Sequence, residues 1–240
     1  MEARQVHDAR GTAQLIREDL VQDTASLRVL SIITATRDRV TSVLYRARAT
    51  TTAPAAAILI TLAPGRPATG FVSNGSGAME PLTPERLEQP FLATDLLIGD
   101  LTDDFLAWPS QQWVGNEKLL GHDCAIVESR PATNARTASA RVRSWIARSM
   151  ALPLKVEKYD AAGALQRRFI VERVSRLDDR HWGAAVLTVT GAGERTRTTL
   201  KMRRGDRHAE VKVREFEVAT IRQFLVSKPA ATAPKARSPQ

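Results

Sequence analysis

The sequence predicts an α+β protein: a strongly curved antiparallel sheet of about ten strands, forming a half-open barrel, with an N-terminal helix and short helices covering the concave face. Three observations carry this expectation. Apolar and β-branched runs recur along most of the chain, separated by glycine- and proline-rich turns. The connections between them are mostly too short for parallel crossovers, which need about a dozen residues or more. Residues 91–108, FLATDLLIGDLTDDFLAW, then break the pattern with an apolar stretch that carries four aspartates and no β-branched alternation.

In chain order, the first twenty residues predict a helix. Val6, Ala9, Ala13, Ile16 and Leu20 follow spacings of three and four and form one apolar stripe. The acids Glu18, Asp19 and Asp23 argue against docking of this segment on an anionic membrane. SLRVLSIITAT, VTSVLYRARAT and AAAILITLA then read as strands divided by RDR and TTAP. In the second of these, Val43, Tyr45 and Ala47 share one face. PGRPATG and SNGSGAMEPLTP are turn-rich, and the 91–108 segment follows.

From Gln111 the strand signal is cleaner: QQWVGNEKLL, DCAIVESRP, RVRSWIARS, LPLKVEKYD, ALQRRFIVERVSRL, WGAAVLTVTG and ERTRTTLKMRR. YDAAG reads as a tight hairpin turn in which Gly163 supplies an easy positive φ, and GAGE between the last two strands does the same. EFEVATIRQFL, residues 215–225, offers a last short helix through Val218, Ile221, Phe224 and Leu225. One domain is expected over residues 1–227, with a disordered basic tail at 228–240, where three cations sit among Pro, Ala and Ser with no acid.

Bulk properties exclude several classes. With 43% hydrophobic and 25% charged residues over 240 positions, the chain is globular rather than disordered or fibrous. A single cysteine, Cys124, excludes an internal disulfide and a cysteine-rich zinc site, and its context reads as a small core residue. No run approaches the ~18 apolar residues of a transmembrane helix, and MEARQVHDARGTAQ lacks the apolar stretch of a secretory signal.

The order of parts resembles a known family. The FLATDLLIGDL segment is followed by LLGHDCAIVESRP and then by VRSWIARSMALPLKVEKYDAAGAL. Gly121, Cys124, Pro131, Trp145, Ile146, Pro153, Leu154, Glu157, Tyr159, Asp160, Gly163 and Leu165 stand where the outer-membrane lipoprotein-sorting proteins carry their pattern. These are relatives of the periplasmic lipoprotein chaperone. The resemblance covers roughly residues 91–205, and residues 12–62 by strand pattern alone.

The resemblance implies a half-barrel whose apolar concave face, lidded by helices, holds lipid or lipoprotein acyl chains. It further implies a periplasmic, non-catalytic carrier or chaperone of envelope trafficking, with no cofactor and no nucleic acid. A monomer is expected, handing cargo between an inner-membrane transporter and an outer-membrane acceptor. The strand residues expected to line the trough are Val43, Tyr45, Ile58, Ile60, Leu154 and Val156, continuing through Phe169, Val171, Val186, Leu200 and Met202. The interrupting segment adds Phe91, Leu92, Leu96, Leu97, Ile98, Leu101 and Phe105. Asp100 is expected to cap a helix over LTDDFLAW, with Asp103 and Asp104 favouring its positive end.

The residues also bear on other functions. None of His7, His122, His181 and His208 has metal-ligand spacing to another, SNGSG lacks the lysine of a phosphate loop, and no serine sits in a nucleophile elbow. A violacein-pathway enzyme uses the same half-barrel, so the fold alone does not exclude catalysis. A periplasmic envelope-stress regulator shares it too, but with a second domain. Residues 195–214 hold eight cations against two acids, yet the stripe has no aromatic for base stacking, which favours a solvated outer face over a nucleic-acid platform.

Overall fold

Short turns between consecutive strands leave antiparallel pairing as the only route, and the whole sheet follows it. The structure is a computed structural model that describes residues 12–227 apart from positions 24, 65, 74, 76, 103, 104, 134, 136, 138, 180 and 207–209. Among the described residues it contains one sheet of thirteen strands. The first half comprises β1 (Thr12–Gln22), β2 (Ala25–Arg37), β3 (Val40–Ala47), β4 (Ala56–Leu62), β5 (Thr69–Ser73) and β6 (Glu80–Pro81). The second comprises β7 (Ser110–Leu119), β8 (His122–Arg130), β9 (Arg141–Ala147), β10 (Leu152–Tyr159), β11 (Leu165–Arg176), β12 (Trp182–Gly191) and β13 (Thr198–Asp206).

Spatial order explains the interrupting segment. The strands run β6-β5-β4-β3-β2-β1-β13-β12-β11-β10-β9-β8-β7. The chain therefore builds outward from β1 to one edge, jumps to the far edge at β7, and builds inward until β13 pairs with β1. Residues 82–109 are that jump. A link between opposite edges of an open sheet has to pass over one of its faces, so it must be apolar beneath and polar above. The arrangement is consistent with a curved sheet, the usual fate of sheets beyond about ten strands.

The crossing segment contains α1 (Pro84–Leu87), a 3-10 turn at Phe91–Ala93, α2 (Ile98–Thr102) and a second 3-10 turn at Phe105–Ala107. Its Phe91, Leu96 and Ile98 are buried against Leu20, Leu30, Ala47, Ile58, Ile60, Val189 and Leu200 of the sheet. The opposite face carries a second core, in which Ile33, Leu44, Ala57 and Leu59 meet Ile221 and Leu225 of α3 (Val218–Leu225). Under the second half of the sheet, Cys124, Trp145, Ala147, Leu154 and Val171 form a third. The hairpin glycines Gly163 and Gly193 do adopt positive φ, at 82° and 81°.

Three expectations are corrected. Thr12–Gln22 is a strand, not the end of an N-terminal helix; residues 1–11 lie outside the described residues. Its ladder to β13 is interrupted between Arg17 and Glu18, and that to β2 between Leu20 and Val21. Such bulges insert an unpaired residue and break the two-residue period, leaving spacings that imitate a helix. The strand count is thirteen rather than about ten, because β1, the short β5 and the two-residue β6 were not anticipated. Finally, α3 covers the face opposite the crossing segment. The expected tail at 228–240 lies outside the described residues.

Candidate functional site

The site is built from the inward row of each strand and the segment lying over it. Register fixes which side chains share that face. Tyr45 stands opposite Ile58 and Ile32, and Val43 opposite Ile60. Leu200 stands opposite Leu20 and Leu187, Phe169 opposite Val189 and Val156, and Val171 opposite Leu187. Met202 lies opposite Glu18 on the same row. Val186 pairs with Lys201 instead, and so points away from the neighbouring Leu187. Of the strand positions singled out by sequence, Val43, Tyr45, Ile58, Ile60, Val156, Phe169, Val171, Leu200 and Met202 thus share the crossed face, Val186 does not, and Leu154 falls at a break in the β9–β10 ladder. Leu154 and Val171 pack in the third cluster rather than directly beneath the segment.

The segment crosses in sequence order. Phe91 meets Tyr45 of β3 edge-on, with ring centroids 6.1 Å apart. Asp95 reaches the middle of the sheet: Oδ2 accepts hydrogen bonds from Gln22 Nε2 and Thr198 Oγ1, both at 3.0 Å, and Oδ1 accepts one from Thr196 Oγ1. Asp100 reaches the second half, where Lys158 Nζ lies 2.9 Å from Oδ1 and Arg167 Nε 3.2 Å from Oδ2. Leu92 and Leu101 are half-buried against the core, and Phe105 is half-buried in the last turn. Hydrophobic contact therefore seats the segment, while two aspartates tie it down.

Asp100 differs in detail from its expected role. The helix begins earlier, at Ile98, and Asp100 Oδ2 accepts the Leu97 N–H at 2.8 Å, satisfying a donor at the helix start. Asp103 and Asp104 lie outside the described residues. Lys158 was not singled out, yet a signal existed: it follows Leu154 and Val156 at two-residue spacing, so it occupies an inward position. Glu18 was missed because its strand resembled a helix. It stands between Leu30 and Met202 on the crossed face, and burial pushes its carboxyl up to about 7.

Beside the segment opens a cavity of about 600 Å³, within the usual range for small-molecule sites of roughly 300–1,000 Å³. Leu87, Leu97 and Asp100 line one wall; Lys158, Gln166 and Arg167 line the other. The cavity is thus of mixed polarity, and the purely apolar part of the face is filled by Phe91, Leu96 and Ile98. Cys124 is fully buried, and burial raises its thiol above the ordinary range. Among the described residues no group of three metal-ligating side chains converges, and no helix is long and apolar enough to cross a membrane.

An open antiparallel sheet of this kind is a fold shared with other proteins. Its likeness to solved structures shows this. An outer membrane lipoprotein-sorting protein domain from Vibrio parahaemolyticus superposes with TM-score 0.79 at 16% identity, covering 88% of this chain and 91% of that one. A DUF1329 family protein from Desulfovibrio piger gives 0.77 at 16% identity, with 91% and 94% covered. A LolA superfamily protein from Nitrosomonas europaea gives 0.62 at 16% identity, again with 91% and 94% covered. In sequence, a family model described as "Uncharacterized protein" matches residues 75–223, more than half of the chain, and the chain belongs to that family. No curated protein matches it.

Proposed function

We propose that this protein is a non-catalytic carrier or chaperone of the bacterial periplasm that holds lipid or lipoprotein acyl chains on the crossed face of its sheet. The observation that supports this most directly is how the apolar face is closed. It is covered by one connection, residues 82–109, whose buried side chains belong to no strand and whose polar ties to the middle and second half of the sheet include those of Asp95 and Asp100. Such a cover can lift without breaking a strand pair. The likeness in fold to a lipoprotein-sorting domain of Vibrio parahaemolyticus points the same way.

The mechanism follows from the energetics of transfer. Each acyl methylene leaving water contributes about 0.8 kcal/mol, so one chain offsets the loss of the segment's own apolar contacts. Leu97 and the cavity beside it form the entry, and the chain then replaces Phe91, Leu96 and Ile98 over Tyr45, Ile58, Ile60, Phe169 and Leu200. In this scheme residues 1–227 act as a monomeric unit. Release requires a membrane partner, an inner-membrane transporter at loading and an outer-membrane acceptor at delivery. Native mass spectrometry of protein purified gently from bacterial envelopes tests the proposal. A bound species of acyl-lipid mass is expected; no bound lipid together with no uptake of an added fatty-acid probe would overturn it.

A further inference from the structure

Two cations on neighbouring strands converge on one carboxylate of the crossing segment. Lys158 of β10 pairs directly with Arg167 of β11. Asp100 of α2 holds both, 2.9 Å from Lys158 Nζ and 3.2 Å from Arg167 Nε. All three side chains line the cavity of about 600 Å³ beside the segment. Lys158 and Asp100 are only 3% and 5% exposed, so a charged group on the cavity wall is held out of water by its pairing. The other acids of the cavity are differently placed. Asp160 accepts the Ala164 N–H and a hydrogen bond from Gln166 within its own hairpin, and Glu88 is exposed.

The cations stand where the apolar part of the crossed face ends. Val156 pairs with Phe169, and Lys158 pairs with Arg167 two residues further along the same strands, about 7 Å away on the same face. Leu87 and Leu97 give the cavity an apolar wall beside them. An apolar row that runs into a pair of cations at a cavity has the profile of an amphiphile, tail over Val156 and Phe169 and anionic head at Lys158 and Arg167. Asp100 already shows which anion fits there, a carboxylate. A ligand carboxylate that takes over its contacts exchanges one negative charge for another and leaves no new charge unpaired.

We infer that Lys158 and Arg167 form a head-group site that binds the carboxylate of a long-chain fatty acid in exchange for Asp100. This inference rests on the carrier reading and names a class of ligand within it. The two cations offer charge-assisted hydrogen bonds to both oxygens of the incoming head, as they now do to Asp100. Asp100 keeps the Leu97 N–H as it leaves, so head-group binding frees the segment from the sheet beside the cavity. A neutral head of equal tail length has no charge to offer in place of Asp100.

The test is calorimetric titration near pH 8 of dodecanoate and of dodecanol, each below its aggregation limit, into the full chain, Arg167→Gln and Asp100→Asn. The wild type is expected to prefer dodecanoate by at least roughly tenfold, and Arg167→Gln to shrink that preference severalfold. Asp100→Asn should widen it, because the internal competitor is gone; an ion pair with a structural role alone would not produce that sign. Retained dodecanol binding reports that each variant is folded, and Arg167→Gln decides alone if Asp100→Asn is not. Three results overturn the head-group site and leave the carrier reading standing: equal affinity of the wild type for both probes, a preference intact in Arg167→Gln, or one that a folded Asp100→Asn fails to widen. Binding of neither probe to the wild type overturns both.

Discussion

Lys158 Nζ lies 2.9 Å from Asp100 Oδ1, with the two side chains only 3% and 5% exposed. One belongs to a strand of the second half of the sheet, the other to the segment crossing it. Removing one member of a buried pair leaves the other charge uncompensated, which costs roughly 3–5 kcal/mol. Asp100→Asn should therefore lower the urea midpoint sharply and speed amide exchange in residues 89–102. Adding Lys158→Met to it should cost less than the two single changes summed. A wild-type midpoint for Asp100→Asn would show that this pair does not hold the segment.

Leu96 and Leu97 are adjacent but unequal. Leu96 is 3% exposed within the core, whereas Leu97 is half-buried and lines the cavity. Leu97→Asn should weaken uptake of a fatty-acid probe severalfold while costing at most about 1 kcal/mol of stability. Leu96→Asn should lose about 2–4 kcal/mol, from the lost burial and a polar group placed without a partner. Unchanged uptake by Leu97→Asn would remove the cavity from the binding path.

Glu18 gives a signed pH dependence. Its folded-state value of about 7 lies above the ordinary 4.5, so the folded protein holds its proton more tightly than the unfolded chain. Stability from this group is full below pH ~4.5, declines as pH rises, and is lost above about 7, with an upper bound of roughly 3 kcal/mol. Urea unfolding between pH 5 and 8 should show that decline, and Glu18→Gln should flatten it. A slope unaffected by the substitution would place the titration elsewhere.

Glu128 works in the opposite sense. Burial pulls its carboxyl up, but the hydrogen bond from Arg143 and the charges of Arg141 and Arg130 outweigh that and hold it below the ordinary range. Its contribution is present above the unfolded value and lost as pH falls through the folded one. Glu128→Gln should cost about 1–2 kcal/mol at neutral pH and make acid unfolding below pH ~4.5 less steep. Circular dichroism followed through an acid titration measures both; identical curves would make the cluster ornamental to stability.

The antiparallel meander was legible because YDAAG and GAGE announce hairpins whose flanking strands have no room to cross over. The first strand was not, since interruptions at Arg17–Glu18 and Leu20–Val21 disturb the period that identifies strands. Val186 shows how finely register matters: it and Leu187 are equally apolar, and only pairing with Lys201 or Leu200 tells which faces the segment. The ties at Asp95 and Asp100 depend on partners 103 and 58 positions away, a separation no local pattern carries. Lys158 was within reach, because its parity with Val156 was already written in LPLKVEK.

The central claim, that the crossing segment is a removable cover over an acyl-binding face, is met most directly by hydrogen exchange with and without a saturating fatty-acid probe. On binding, the amides of Phe91, Leu96 and Ile98 should exchange faster while those of β1, β12 and β13 stay protected. A protein that takes up no probe, or takes it up with the segment's amides as protected as before, would contradict it.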